Sequence, residues 1–238
     1  ANGLTKMAKH LQCISPIDGS VYAERPYAGP DEVEAALDRA RRAQAEWRSV
    51  PLERRIAILR DAVERFVAER DDDGEEITRQ MGRPIAASPK EANIFAERAN
   101  FMLDVAPEEL ADLAVADDSA KRQFIRREPV GVALVVVPWN YPYMTAVNVV
   151  WPALAAGNAV IHKPSAQTPV TAERFARVLA EAGLPEGVFQ HLHLSHEAAS
   201  KVIASEAVDF VSFTGSVPGG HAVQQAAAYG GKKYFIPL

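Results

Sequence analysis

Apolar positions recur at two periods, and the change from one to the other divides the chain. From Pro30 to about residue 106 they step by three and four. Val33, Leu37, Ala40, Gln44 and Trp47 share one helical face, and Leu52, Ile56, Leu59, Val63 and Phe66 share another that begins at Pro51. Asp31, Glu32 and Glu34 open the first of these helices and Arg39, Arg41 and Arg42 follow, an order that complements the helix macrodipole. A short helix is predicted over 75–82, stopped by Gly82 with Pro84 beyond, and a longer one over much of 89–106, with Ile94, Phe95, Phe101, Met102 and Val105 as its apolar positions.

After Arg126-Arg127-Glu128-Pro129 the texture changes to short, nearly continuous apolar runs: Val132–Val137, Ala159–His162, Val188–Leu192, Val208–Phe213 and Lys233–Ile236. Helical stretches separate them, and the one after Lys163 is well signalled, with Thr168 as its expected N-cap, Pro169 at its first position and Gly183 as its stop. Apolar strands alternating with helices require a parallel sheet covered on both faces. The fold class is therefore α/β, a Rossmann-like parallel sheet with helices on both faces, preceded by a helical N-terminal segment. The boundary is expected at 131, with 1–131 as that segment (including a strand or hairpin near 122–129) and 132–238 as the nucleotide-binding domain. Residues 1–28 mix turn formers, among them Asn2-Gly3, Ser15-Pro16 and Asp18-Gly19, and read as an irregular lead-in with a hairpin-like turn.

Composition narrows the partners. The 238 residues are 48% hydrophobic and 24% charged with a net charge of -5, ordinary for a globular protein. Nothing suggests a basic field for nucleic acid or anionic lipid, no apolar run is long enough to span a bilayer, and no signal peptide is evident. A cytoplasmic protein with a small-molecule ligand is expected. The single cysteine, Cys13, excludes an intramolecular disulfide and any cysteine metal cluster.

Candidate chemistry concentrates at strand exits. Pro138-Trp139-Asn140 follows the first strand; Asn140 reads either as a helix N-cap or as an amide donor aimed into the crevice. Lys163 ends the second strand, where it is either solvated or placed to reach a ribose or phosphate. Phe213-Thr214-Gly215-Ser216 leads from a strand into a helix whose first amides, with the Ser216 hydroxyl, suit a pyrophosphate. From Gly215 to Gly220 the glycine spacing is that of a P-loop, but His221 and Ala222 stand where lysine and serine or threonine are needed, and G-x-G-x-x-G is absent. The run Asp71-Asp72-Asp73-Gly74-Glu75-Glu76 lacks calcium-loop spacing and reads as a solvated turn before a helix. His191-x-His193-x-x-His196 has no specific zinc spacing, so no metal is expected.

Taken in order, Val137-Pro138-Trp139-Asn140-Tyr141-Pro142, Leu154-Ala155-Ala156-Gly157-Asn158, Lys163-Pro164-Ser165-Ala166-Gln167-Thr168-Pro169, Gly183-Leu184-Pro185-Glu186-Gly187-Val188 and Phe213-Thr214-Gly215-Ser216 resemble the aldehyde dehydrogenase superfamily over essentially the whole chain. The resemblance implies NAD(P)-dependent oxidation of an aldehyde to a carboxylic acid through a thiohemiacetal, with hydride transfer to nicotinamide. It makes Asn140 the oxyanion donor, Lys163 the holder of the adenosine ribose, and Trp139 and Ser216 neighbours of the pyrophosphate. Gly215 and Gly220 flank the helix over the cofactor, and Pro138, Ser165, Ala166 and Thr214 complete the cofactor-binding set. A homo-oligomer is implied for the full-length form. Where NAD-preferring members often carry glutamate, this chain has Ala166, which removes a charge that would repel a 2'-phosphate and leans the expectation towards NADP. The family's general-base glutamate and nucleophilic cysteine follow the strand that matches Lys233–Leu238, and Cys13 does not correspond to that nucleophile. The 238 residues alone are thus expected to be inactive and, lacking the surface that normally covers them, to associate or be marginally stable. The alternative reading is a non-catalytic nucleotide-binding or oligomerisation module.

Overall fold

A computed structural model describes residues 10–117, 121–229 and 233–235. Strands β1 (His10–Ile14) and β2 (Val21–Pro26) form an antiparallel hairpin. Its turn includes Gly19 at φ +75°, a conformation open to glycine at little cost. Helices α1 (Pro30–Trp47), α2 (Leu52–Ala68), α3 (Arg70–Met81) and α4 (Lys90–Glu109) follow. A second ribbon, β3 (Leu113–Asp117) antiparallel to β4 (Arg122–Ile125), precedes the sheet. The remaining chain alternates β5 (Val132–Val136), α5 (Pro142–Ala155), β6 (Ala159–Lys163), α6 (Val170–Glu181), β7 (Phe189–His191), α7 (His196–Ala204), β8 (Phe210–Phe213), α8 (Val217–Tyr229) and β9 (Lys233–Phe235).

The five strands β7-β6-β5-β8-β9 are all parallel, with Leu134 of β5 opposite Ile161 of β6 on one side and Val211 of β8 on the other. β5 is the strand from which the chain first builds outwards to β6 and β7 and then returns to add β8 and β9. Residues 236–238, where the last strand was expected to continue, and the Asn2-Gly3 turn lie outside the described residues.

Each face of the sheet has its own apolar core. One gathers Phe66, Phe95, Tyr143, Trp151 and Phe175 from α2, α4, α5 and α6, with ring centroids of neighbouring pairs 4.4 to 5.5 Å apart. The other joins Leu37 and Ala40 of α1 to Leu134, Ile161, Val202, Val211 and Val223. Both cores cross residue 131, because α1 covers one face of the sheet and α2 with α4 cover the other. The expected boundary at 131 is therefore a change of pattern and separates no cores.

Four local expectations change. The acidic run lies within α3, where Asp73 is buried and paired with Arg174, whose guanidinium also holds Glu69 at 2.9 Å. Burial pushes the Asp73 carboxyl up to about 7 in spite of that guanidinium. In α4 the inward residues are Phe95, Ala99, Leu103 and Ala106, whereas Ile94 and Phe101 are exposed; small alanines allow α4 to lie close against α5. Strand β3 was not expected at all; its Leu113 and Val115 are exposed. Finally, Thr168 does not cap α6: the helix begins at Val170, whose N–H donates to Oε1 of the fully buried Gln80 on α3 at 3.1 Å. A side chain distant in sequence does the work that the local threonine was expected to do.

Candidate active site

Parallel strands with crossovers leave a crevice at their carboxyl ends where the strand order reverses, here between β5 and β8. A cleft of about 860 Å³ opens there. Its floor is Val136, Val137 and Phe213. The turn after β5 contributes Pro138, Trp139 and Asn140; the exit of β6 contributes Lys163, Ser165 and Ala166; the β8–α8 connection contributes Thr214, Gly215 and Ser216. These are the residues singled out at the strand exits, and one cleft collects them. Gly220 is not among the lining residues: it is buried inside the first turn of α8, its N–H donating to the Ser216 carbonyl at 2.9 Å, while Gly219 takes the lining position.

The cleft needs bare backbone at two points. A Cβ on Gly215 or on Gly219 would come within 2.7 Å of Cζ of Phe213, closer than real Cβ contacts, so the ring can lie flat on the floor only because both positions are glycine. The Ser216 hydroxyl accepts from the Gly219 N–H at 3.2 Å and so caps α8 while keeping its own proton to donate. Lys163 is largely buried, which lowers its ammonium below the usual lysine range, and among the described residues its Nζ donates only to the neighbouring Pro164 carbonyl, at 3.3 Å. A cation with such a weak partner, glycine-lined backbone and a helix N-terminus form a donor set suited to a sugar and a pyrophosphate.

Asn140 does not cap α5, because another residue does. The first amides of α5 are occupied: Tyr143 N–H and Met144 N–H donate at 2.9 and 3.0 Å to Oε1 of Glu91, a residue of α4 that is 1% exposed. Glu91 also pairs with Arg83, and Arg83 donates to the Asn140 backbone carbonyl and stacks 4.4 Å over the Tyr141 ring. With Glu91 as the cap of α5, the Asn140 side chain makes no hydrogen bond among the described residues and stands exposed at the cleft. Arg83 and Glu91 escaped sequence reasoning, and the one local hint was that Tyr141-Pro142 offers α5 no capping side chain.

The far wall was also missed. Tyr27, Leu194, His196, Ala199 and Ile203 line the cleft from the lead-in and from α7; in the sequence the α7 positions are indistinguishable from core packing. The histidine run is split. His196, at the start of α7, faces the cleft, whereas His191 and His193 lie together with their rings 5.5 Å apart. Cys13 is buried in β1, its Sγ donating to the Gln167 carbonyl at 3.1 Å, and burial pushes its thiol up to about 11. It does not line the cleft. Among the described residues no helix is long and apolar enough to cross a membrane.

Residues 4–237 match the model of the aldehyde dehydrogenase family. A probable succinate-semialdehyde dehydrogenase [NADP(+)] of a Synechocystis strain is 36% identical over 96% of this chain and 50% of its own length. Benzaldehyde dehydrogenase [NAD(+)] of Pseudomonas putida is 32% identical over 94% of this chain and 46% of its own. Among solved structures, succinic semialdehyde dehydrogenase from Streptococcus pyogenes in complex with NADP+ superimposes with a TM-score of 0.90 at 29% identity, covering 96% of this chain and 50% of that one. The chain spans about half the length of the curated relatives it matches.

Proposed function

The chain belongs to the aldehyde dehydrogenase family, and from that premise we propose that it is the dinucleotide-binding part of an enzyme that oxidises an aldehyde to a carboxylic acid with NAD or NADP. The observation that carries the reading is the cleft itself: the motif residues, spread from Pro138 to Ser216, meet in one cavity at the strand-order reversal. Bound there, the dinucleotide supplies the hydride acceptor. Lys163 holds a ribose hydroxyl or phosphate, and the helix start at Ser216 takes the pyrophosphate. Asn140 offers a neutral amide to the oxyanion that develops as the aldehyde carbon is attacked, and because its side chain is not committed to a helix it needs no rearrangement to do so. Ala166 leaves room beside Lys163 for a 2'-phosphate, which favours acceptance of NADP.

The β3–β4 ribbon supports an oligomeric enzyme, since Leu113, Val115, Phe124 and Ile125 are all exposed on it and a concentration of apolar side chains on a paired ribbon marks an interface. Its reading as a contact between copies is tested by Phe124→Glu, which is expected to shift the sedimentation coefficient to that of a smaller species. A cytoplasmic location belongs to the same proposal.

Calorimetric titration of the chain with NAD and with NADP tests the cofactor reading. Saturable binding of both is expected, with NADP at least as tight. Absence of saturation by either at millimolar concentration would refute the reading, and NAD binding far more tightly would refute the NADP preference alone. In the longer enzyme, Asn140→Ala is expected to lower kcat by about a hundredfold or more with little change in cofactor affinity.

A further inference from the structure

On the face of the sheet that carries α6, away from the cleft, Glu173 of α6 meets His191 of β7 and His193 just beyond it. Alternation along an extended strand turns His191 and His193 to the same side, and their rings sit 5.5 Å apart at 66°. One ligand atom from each of the three residues lies within 4.8 Å of the others, and Nε2 of His193 and Oε1 of Glu173 are 3.2 Å apart. We propose that Glu173, His191 and His193 form a binding site for a divalent transition-metal ion, with zinc(II) the best match.

The spacing supports it. Nitrogen and oxygen ligands about 2.0–2.2 Å from a tetrahedral zinc are separated from each other by roughly 3.3–3.5 Å. The His193–Glu173 pair already has that separation, so zinc can enter by replacing the hydrogen bond between them, and a modest turn of the His191 ring closes the third edge. A fourth position is left for water. Two imidazoles with one carboxylate select zinc, nickel or copper over magnesium and calcium, which take oxygen ligands.

The surroundings of the ligands fit as well. The His191 ring nitrogens have no hydrogen-bond partner among the described residues, which leaves them available to an ion. Glu173 is held from two sides, by His193 and by Arg25. Arg25 donates from Nε to Oε1 at 2.7 Å and from its terminal nitrogen to Oε2 at 2.9 Å. A carboxylate has about four acceptor positions, so Arg25 can stay as the outer partner that orients Glu173 while Oε1 turns to the metal. Its charge nevertheless repels a dication, so Arg25 limits affinity. The His193 carbonyl accepts from the Ala28 N–H at 2.8 Å, and the chain then runs directly into Leu194 and His196 on the cleft wall, so an ion here would brace that wall from behind.

Isothermal titration of the chelator-stripped chain with zinc chloride, in excess magnesium, tests the site. One zinc per chain is expected, weakened at least tenfold by His191→Asn and by His193→Asn, and tightened severalfold by Arg25→Gln. No stoichiometric binding, or binding indifferent to both histidine substitutions, overturns the proposal. Should either variant fail to fold, the ring resonances of the six histidines in the unmodified chain decide it: zinc must shift those of His191 and His193, and a shift confined to the other four overturns the site.

Discussion

Replacing Glu91 is expected to damage the molecule more than any other single change on the cleft side. Its carboxylate accepts two amides of α5 at 2.9 and 3.0 Å, pairs with Arg83, and is 1% exposed. A hydrogen bond to a charged group contributes about 1.5–3 kcal/mol, and removing one member of a buried pair costs about 3–5 kcal/mol because the partner is left uncompensated. The Arg83 side chain is 13% exposed, so water compensates it only partly. Glu91→Ala is therefore expected to cost about 4 kcal/mol, a large share of the roughly 5–15 kcal/mol typical of a domain. Glu91→Gln keeps an oxygen for the Tyr143 and Met144 amides and loses only the charge, so about 2 kcal/mol is expected. In urea, with a slope of about 2 kcal/mol per molar, the midpoints should fall by about 2 M and about 1 M. A loss below about 1 kcal/mol for the alanine variant, or equal losses for the two variants, would show that Glu91 does not cap α5 and that Asn140 must be held by something else.

Three further outcomes test separate parts of the structure. Gly215→Ala places a Cβ 2.7 Å from the Phe213 ring and should push that ring into the cleft, lowering calorimetric affinity for NADP about tenfold with the urea midpoint nearly unchanged. Ala166→Glu should reduce the preference for NADP over NAD about tenfold through repulsion of the 2'-phosphate, read from the ratio of the two dissociation constants. His162, buried in β6 with Nδ1 unpartnered, has its imidazole lowered to about 3 by burial, with the charges of its neighbours adding to the effect. The native state thus stays neutral where the unfolded chain gains a proton, so stability is full above about pH 6.5 and falls as pH drops towards 3, by as much as about 5 kcal/mol at roughly 1.4 kcal/mol per unit. His162→Gln should flatten that part of the curve of urea midpoint against pH; an unchanged slope would place the acid sensitivity elsewhere.

The parts of the fold legible in the sequence are those in which one segment decides its own state. β5, β6 and β8 are apolar runs because both of their faces are covered, and α1 and α2 declare themselves by periodicity. The strand exits could be nominated because parallel topology fixes where a ligand lies before any coordinate is known. Illegible were the features settled by residues far apart. Gln80 caps α6 and Glu91 caps α5 across 90 and 52 residues, so Thr168 and Asn140, local candidates for those tasks, are left without them. Asp73 looks like a surface acid until Arg174 arrives from α6. Glu173 is 20 residues from His193, and no spacing rule connects it to the histidines.

The division of α1 from α2 and α4 by the sheet also dictates an order of events during synthesis. Trp47 donates its indole N–H to the Leu154 carbonyl, 107 residues later in the chain, at 2.9 Å, and Leu37 and Phe66 belong to cores on opposite faces of strands that have not yet been made when they leave the ribosome. The first four helices therefore emerge able to meet one another, as Phe66 of α2 meets Phe95 of α4, but without the sheet that completes both cores. At about 5–20 residues per second, they wait some seconds for β5, β6 and β8, an interval in which a holding chaperone has its natural place and in which slowed translation between α4 and β8 should raise the insoluble fraction.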